Sequence, residues 1–169
     1  TQFLSVNFAG PIRAAGGTAQ ALAVLIADMI RRELNVDAYK PTDGEVERVK
    51  EEFGLYRGGL QYRPPPEEID TIVRACPVMI NGEGDQDIEC AGYGRVRNIE
   101  GARIRGGVLL VIGEGLCLKA PKVQRHTERL KVPGWDFISI FANKEKEKEK
   151  SKTSDDFKSR KVPKISKFM

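Results

Sequence analysis

One histidine, His126, one tryptophan, Trp135, and three cysteines, Cys76, Cys90 and Cys117, are all that 169 residues provide of these types. Such scarcity excludes whole classes of chemistry. A Ser-His-Asp or Cys-His site would have to use His126, and a multi-histidine metal site is impossible within this chain. An odd cysteine count without a CxxC spacing argues against a disulfide framework and a zinc site. It points to a reducing, intracellular compartment, taken as the cytoplasm. No run approaches about 18 apolar residues, so no transmembrane helix and no membrane partner is expected. No basic-then-apolar leader with a small-residue cleavage site is visible either. The chain opens on Thr1 and runs at once into strand-like sequence, so it is expected to be a processed product or a piece of something longer.

What is present describes a globular chain of one domain, two at most: 40% apolar, 31% charged, 17 Gly and 9 Pro. The net charge of +4 and a pI near 9.0 invite a nucleic-acid reading. The charge is unevenly placed. Residues 144–169 hold ten Lys/Arg against five Asp/Glu, whereas residues 1–143 hold eighteen against nineteen. Any anion binding before residue 144 must therefore come from local clusters.

Leu4, Val6 and Phe8 alternate with Phe3, Ser5 and Asn7, which predicts a strand with one buried face. A turn-rich stretch, Gly10 to Thr18, leads into a helix over 19–34 with Leu22, Leu25, Ile26, Met29 and Ile30 at core spacing. Thr42 and Glu45 form a capping-box pattern that opens a second helix, ending about Phe53. Pro64-Pro65-Pro66 opens a third, ending at Arg74 or Ala75. Pro77 to Ile80 reads as a strand, Asn81 to Asp85 as a turn, and Ile88 to Tyr93 as a return strand. Val108 to Ile112 is wholly apolar and reads as an internal strand. Pro121 to Leu130 is helical, and Gly134-Trp135-Asp136 starts a last apolar helix. The expected class is α+β, a small mixed sheet with packed helices. Residues 1–143 form the domain. Residues 144–161, rich in alternating Lys and Glu, are a charged linker, flexible or a solvated helical extension. Residues 162–169, with Val162, Ile165, Phe168 and Met169, begin a further, truncated element.

Four places carry candidate chemistry. The strand, Gly-rich loop and helix over 3–34 could present backbone N–H groups to a phosphate, with Arg13 adding a guanidinium. It lacks the Gly-Lys-Ser/Thr of a P-loop and the spacing of a dinucleotide loop, and a tight packing turn is the plain alternative. Asn81 to Asp87 clusters carboxylates such as two-metal sites use, but Gly82 and Gly84 favour an acidic turn. Arg95, Arg97, Arg103 and Arg105 form two i, i+2 pairs, each on one side of an extended chain, suited to a phosphate backbone or to salt bridges. Lys119, Lys122, Arg125 and Arg129 stripe a helix beside His126, as on a nucleic-acid-facing helix or any solvated one. His126 is expected to be a surface or capping residue, and the cysteines buried small hydrophobes.

These motifs are jointly more specific than their separate physics. The run Phe8-Ala9-Gly10-Pro11-Ile12-Arg13-Ala14-Ala15-Gly16-Gly17-Thr18-Ala19-Gln20-Ala21-Leu22 resembles a hallmark near the N-terminus of the archaeal family D DNA polymerase large subunit. The resemblance continues through Tyr39-Lys40-Pro41-Thr42, Cys76-Pro77-Val78, Asn81-Gly82-Glu83, Arg103-Ile104-Arg105-Gly106-Gly107, Lys119-Ala120-Pro121-Lys122 and Gly134-Trp135, collinear over about 3–137. It implies the N-terminal portion of a replicative DNA-directed DNA polymerase whose full length transfers dNMP from dNTP to a primer 3′-hydroxyl, with Mg²⁺ in a two-metal geometry. It implies a small partner subunit carrying a phosphoesterase-type exonuclease, and polymerisation in a double-psi β-barrel. The family's Asn-x-Asp-x-Asp motif lies well downstream and is absent here; Asn81-x-Glu83-x-Asp85 has Glu in the middle. No catalytic residue, metal site or cofactor is therefore expected in this segment. The resemblance leaves room for a KH-like subfold in part of it, but Val111 to Gly115 lacks the GxxG spacing, so the KH mode of nucleic-acid binding is not carried over. The expected role is contact with primer–template DNA through Arg13, Arg95, Arg97, Arg103, Arg105, Lys119 and Lys122, together with subunit assembly and possible self-association. The alternative is an assembly module without DNA contact.

Overall fold

The computed structural model describes residues 2–10 and 16–159. Arg13, most of the Gly-rich loop and the apolar end over 162–169 lie outside the described residues.

Two short strands, β1 (Ser5–Phe8) and β2 (Met79–Gly82), pair in parallel, with Ser5 opposite Met79 and Phe8 opposite Gly82. A parallel pair needs a crossover. Here three helices provide it: α1 (Gly16–Glu33), α2 (Asp43–Leu55) and α3 (Pro66–Ala75). An irregular stretch over 83–105 follows β2. The chain then enters α4 (Gly106–Leu110), continues directly as a π-helical turn over Val111–Cys117, and finishes with α5 (Ala120–Arg129) and α6 (Ile138–Ser159). The class is α+β, as expected.

Local chemistry explains most boundaries. Thr42 Oγ1 accepts from the Glu45 N–H at 3.2 Å, and Glu45 Oε2 accepts from the Thr42 N–H at 2.7 Å, the reciprocal capping box read from sequence. Pro66 at the first position of α3 has no N–H to leave unpaired. Val24 and Leu25 of α1, Val46 and Phe53 of α2, Ile69 and Ile72 of α3, and Val78 meet the buried Val108, Leu109, Ile112 and Leu116 in one core.

Four expectations are corrected. Val108–Ile112 is helix, not strand. A five-residue apolar run has no alternation to decide the matter, and here it is buried on every side. Its entry is fixed by close packing: a Cβ on Gly107 would lie 2.7 Å from the Gly10 carbonyl oxygen. Ile88–Tyr93 is not a strand; Glu89 alone bridges to Arg103, Ile88 and Cys90 bond to the backbone of 102–104, and from Ala91 to Tyr93 the N–H groups turn instead to a side chain of α2, described below. Asn81 and Gly82 belong to β2 rather than to a turn. Ile26 and Ile30, placed on the core face by spacing, are 53% and 49% exposed.

The last helix begins at Ile138 and crosses residue 144 without a break, so the Lys-Glu stretch extends the helix through Ser159. Phe141 and Ala142 are its last residues in the core. Beyond them Lys144 pairs with the buried Glu68, and Lys148 Nζ sits 4.7 Å above the Tyr62 ring.

Candidate nucleic-acid interface

One face of α2 is built from charges, not hydrocarbons. Glu45, Arg48 and Glu52 recur at helical spacing, and all are buried. Arg48 donates through Nη1 to the carbonyls of Tyr93 at 3.1 Å and Gly101 at 3.0 Å, and through Nη2 to that of Arg103 at 3.0 Å. Its Nε lies 3.3 Å from Glu52 Oε1. Glu52 accepts from Arg105 Nη2 at 2.6 Å and from the Arg105 backbone N–H at 2.8 Å. Arg105 Nη1 donates to Asn81 Oδ1 at 2.8 Å, which ties the network to β2. Asn98 Nδ2 donates to Glu45 Oε1 at 2.6 Å. Beside them Glu51 accepts from the N–H groups of Ala91, Gly92 and Tyr93 at 2.7, 2.9 and 2.7 Å. Burial raises the Glu51 pKa, and these three donors outweigh that, so its carboxyl titrates below the ordinary range.

The stretch over 83–105 thus owes its shape to side chains of a distant helix. Removing one partner of so buried a pair leaves the other charge uncompensated. Held this way, the stretch presents Arg95 and Arg97 to solvent. Arg97 lines a groove of about 500 Å³ together with Lys40, Asp37 and Glu45. Arg103 is half-exposed; its Nε donates to the Gln86 carbonyl at 2.8 Å and its Nη2 lies 3.3 Å from Asp87 Oδ1. Arg105 corrects the expectation of a surface cation. It is 1% exposed and its guanidinium is taken by Glu52 and Asn81, so it has no access to a phosphate. An i, i+2 pair shares a side only in extended chain, and Arg105 is the residue at which the chain turns into α4.

A second set of cations lies on α5. Lys122, Arg125 and Arg129 are exposed at i, i+3 and i+7, hence on one face, with Lys119 and His126 half-buried next to them. Their backbone span is about 10 Å, comparable with a few phosphates along one strand. Among the described residues no carboxylate pairs with Lys119, Lys122, Arg125, Arg129, Arg95 or Arg97, in contrast to the neutralised Arg48 and Arg105.

The donor set does not suit Mg²⁺. Among the described residues no three His, Cys, Asp or Glu side chains converge as ligands. Asp85 Oδ1 accepts from the Gly106 N–H at 2.7 Å, Asn81 Oδ1 serves Arg105, and Asp87 faces Arg103. All three cysteines are buried; burial pushes the Cys76 thiol up to about 12 and the Cys90 thiol to about 11, which leaves them unreactive.

Sequence reasoning missed two devices. The charged face of α2 was visible only as Glu45, Arg48 and Glu52 recurring among Val46, Val49 and Phe53. The other is Asp28, fully buried, which accepts from Trp135 Nε1 at 2.9 Å, Arg31 Nε at 2.8 Å and Arg32 Nε at 3.0 Å. Burial raises the Asp28 pKa, and the three donors together bring it below its ordinary value.

Fold and site together define a small α+β module in which side chains of α2 hold the irregular stretch that carries Arg95, Arg97 and Arg103. The chain belongs to the family described as DNA polymerase II large subunit DP2, N-terminal, which matches residues 1–144. It is 49% identical over 150 residues to the DNA polymerase II large subunit of Methanococcus vannielii, covering 87% of this chain and 13% of that protein. To the corresponding subunit of Methanocella arvoryzae it is 50% identical over 168 residues, 93% of this chain and 15% of that one. To that of Methanosarcina barkeri it is 47% identical over 143 residues, 83% and 12%. The chain spans about an eighth of the length of these relatives. No helix among the described residues is long and apolar enough to cross a membrane.

Proposed function

We propose that this chain is the non-catalytic N-terminal part of a replicative DNA polymerase large subunit of the archaeal family D type, and that it grips the sugar-phosphate backbone of primer–template DNA. The observation that carries the reading is the contrast between two classes of cation. Arg48 and Arg105 are buried and neutralised. Arg95, Arg97, Lys122, Arg125 and Arg129 are exposed without a carboxylate partner among the described residues. Lys119 and Arg103 flank them. Exposed, unneutralised cations on rigid supports are what phosphate contact needs, and they carry no base specificity.

In the full-length protein this grip serves dNMP transfer to a primer 3′-hydroxyl. The Mg²⁺-binding carboxylates lie elsewhere in that polypeptide. A small subunit completes the cytoplasmic assembly and adds exonuclease activity.

The test is binding of the chain to labelled primer–template across a series of salt concentrations. Micromolar or tighter binding that falls steeply with salt, with a slope lowered by Arg95→Ala/Arg97→Ala, supports the reading. No binding at low salt by a folded chain overturns it and leaves a pure assembly module.

A further inference from the structure

Helix α1 is apolar on both sides. Its core face carries Ala21, Val24, Leu25 and Ala27, and also buries Asp28 and Arg31. Its outer face carries Ala19, Ala23, Ile26 and Ile30, and Leu34 extends the row as the helix ends, its N–H donating to the Ile30 carbonyl at 3.0 Å. Ile26, Ile30 and Leu34 are 53%, 49% and 62% exposed. The first twelve residues of this 18-residue helix hold no charge, and the four charges it does hold, Asp28, Arg31, Arg32 and Glu33, cluster at its end. A solvent-facing helix carries charge on its outer face, whereas one apolar all round is buried in the protein to which it belongs.

The row steps by four, three, four and four residues, the spacing of a helix–helix seam. Small residues at 19 and 23 permit close approach at one end, and branched side chains fill the other.

We propose that Ile26, Ile30 and Leu34 form the docking seam for a helix of the same large-subunit polypeptide, drawn from the part beyond the region matched here. The proposal rests on the chain's being one region of a long subunit, not on its DNA contact. Size selects this occupant. Relatives are matched over only 12–15% of their own length, so most of such a polypeptide lies outside this chain. The exposed apolar patch is on the order of 300 Å², well under the roughly 800 Å² per partner of a free-standing interface. A second copy in solution is poorly served by so small a patch. A covalently tethered helix arrives at millimolar effective concentration and needs far less area.

The experiment uses the full-length large subunit with photoreactive benzoylphenylalanine in place of Ile30, and mass spectrometry identifies what it captures. The expected product is a cross-link to a peptide of the same chain, with a yield unchanged by tenfold dilution. A dimer whose yield falls on dilution, capture of the small subunit in the reconstituted complex, or no cross-link overturns the proposal. Ile26→Glu/Ile30→Glu supplies an independent readout. At exposed positions it leaves the helical signal of this chain unchanged. In the full-length protein it should release the N-terminal region to limited proteolysis at least tenfold faster, and an unchanged rate counts against the seam. A large subunit that retains no DNA at any salt overturns the DNA reading alone and leaves both seam results standing.

Discussion

Glu52 and Arg105, 53 positions apart, meet in a fully buried pair in which Arg105 offers both its side chain and its backbone N–H to one carboxylate. The carboxylate also faces Arg48 Nε at 3.3 Å, so one acid balances two guanidinium groups. The pair therefore joins α2 to the start of α4, while Arg48 and Glu51 beside it hold the stretch between β2 and α4.

Removing one partner should be costly. Arg105→Ala leaves Glu52 with only the edge of Arg48, and a stability loss of about 3–5 kcal/mol is expected from urea unfolding. Arg95→Ala, at an exposed and unpaired position, should stay within about 0.5 kcal/mol of the parent. Equal losses for the two variants would mean that the buried network does not govern the fold.

Glu51 offers a pH test. Three backbone donors hold its folded pKa below the ordinary value of 4.5. A depressed carboxyl contributes stability that is fully present above its unfolded pKa and is lost as pH falls through the folded one. Stability should therefore fall on acidification below about pH 4.5, with Asp28 and Asp70 adding to the same trend because their folded values are also lowered. Glu51→Gln should flatten part of that slope. It should also speed amide exchange at Ala91, Gly92 and Tyr93 roughly tenfold while sparing α1. Unchanged exchange at those three amides would exclude Glu51 as their clamp.

Asp28 is the second anchor, joining α1 to the chain before α6. Trp135→Phe keeps the ring and deletes the Nε1 donor. Hydrogen bonds to a charged group are worth about 1.5–3 kcal/mol, and a loss of that size in thermal or urea unfolding is expected. A neutral effect would show that Arg31 and Arg32 suffice without the indole.

Much of the helical framework was legible because its signals are local. Thr42 and Glu45 are three residues apart and cap each other, and Pro66 opens α3 by its own chemistry. The alternation of Leu4, Val6 and Phe8 announced β1 in the same way. The stretch over 83–105 was illegible because its shape is set from 40 to 55 positions away, by Arg48, Glu51 and Glu52. Arg105 looked like a surface cation for that reason: nothing near it in sequence reveals the carboxylate that buries it. The α4 run failed differently. With every side chain buried, its pattern has neither period 2 nor period 3.6 to read. In α1 the period was read correctly, yet it could not show that an apolar row faces outward.

The DNA reading makes a graded prediction. Binding through phosphates loses affinity with salt at a slope of about 0.9 per contacted phosphate on duplex DNA. Lys122→Ala/Arg125→Ala/Arg129→Ala removes three exposed cations from one face of α5 and should lower that slope by about 2 to 3. Arg95→Ala/Arg97→Ala should lower it by about 2, uniformly across sequences, since backbone contacts read no bases. The charged α6 extension is the same in all these proteins, so its nonspecific attraction cancels in the comparison. Arg105→Gln should leave the slope intact in whatever fraction stays folded, because its guanidinium faces Glu52 rather than solvent. If the α5 and Arg95/Arg97 variants keep the parental slope, the measured affinity belongs to residues 144–169, and the region before them serves assembly alone.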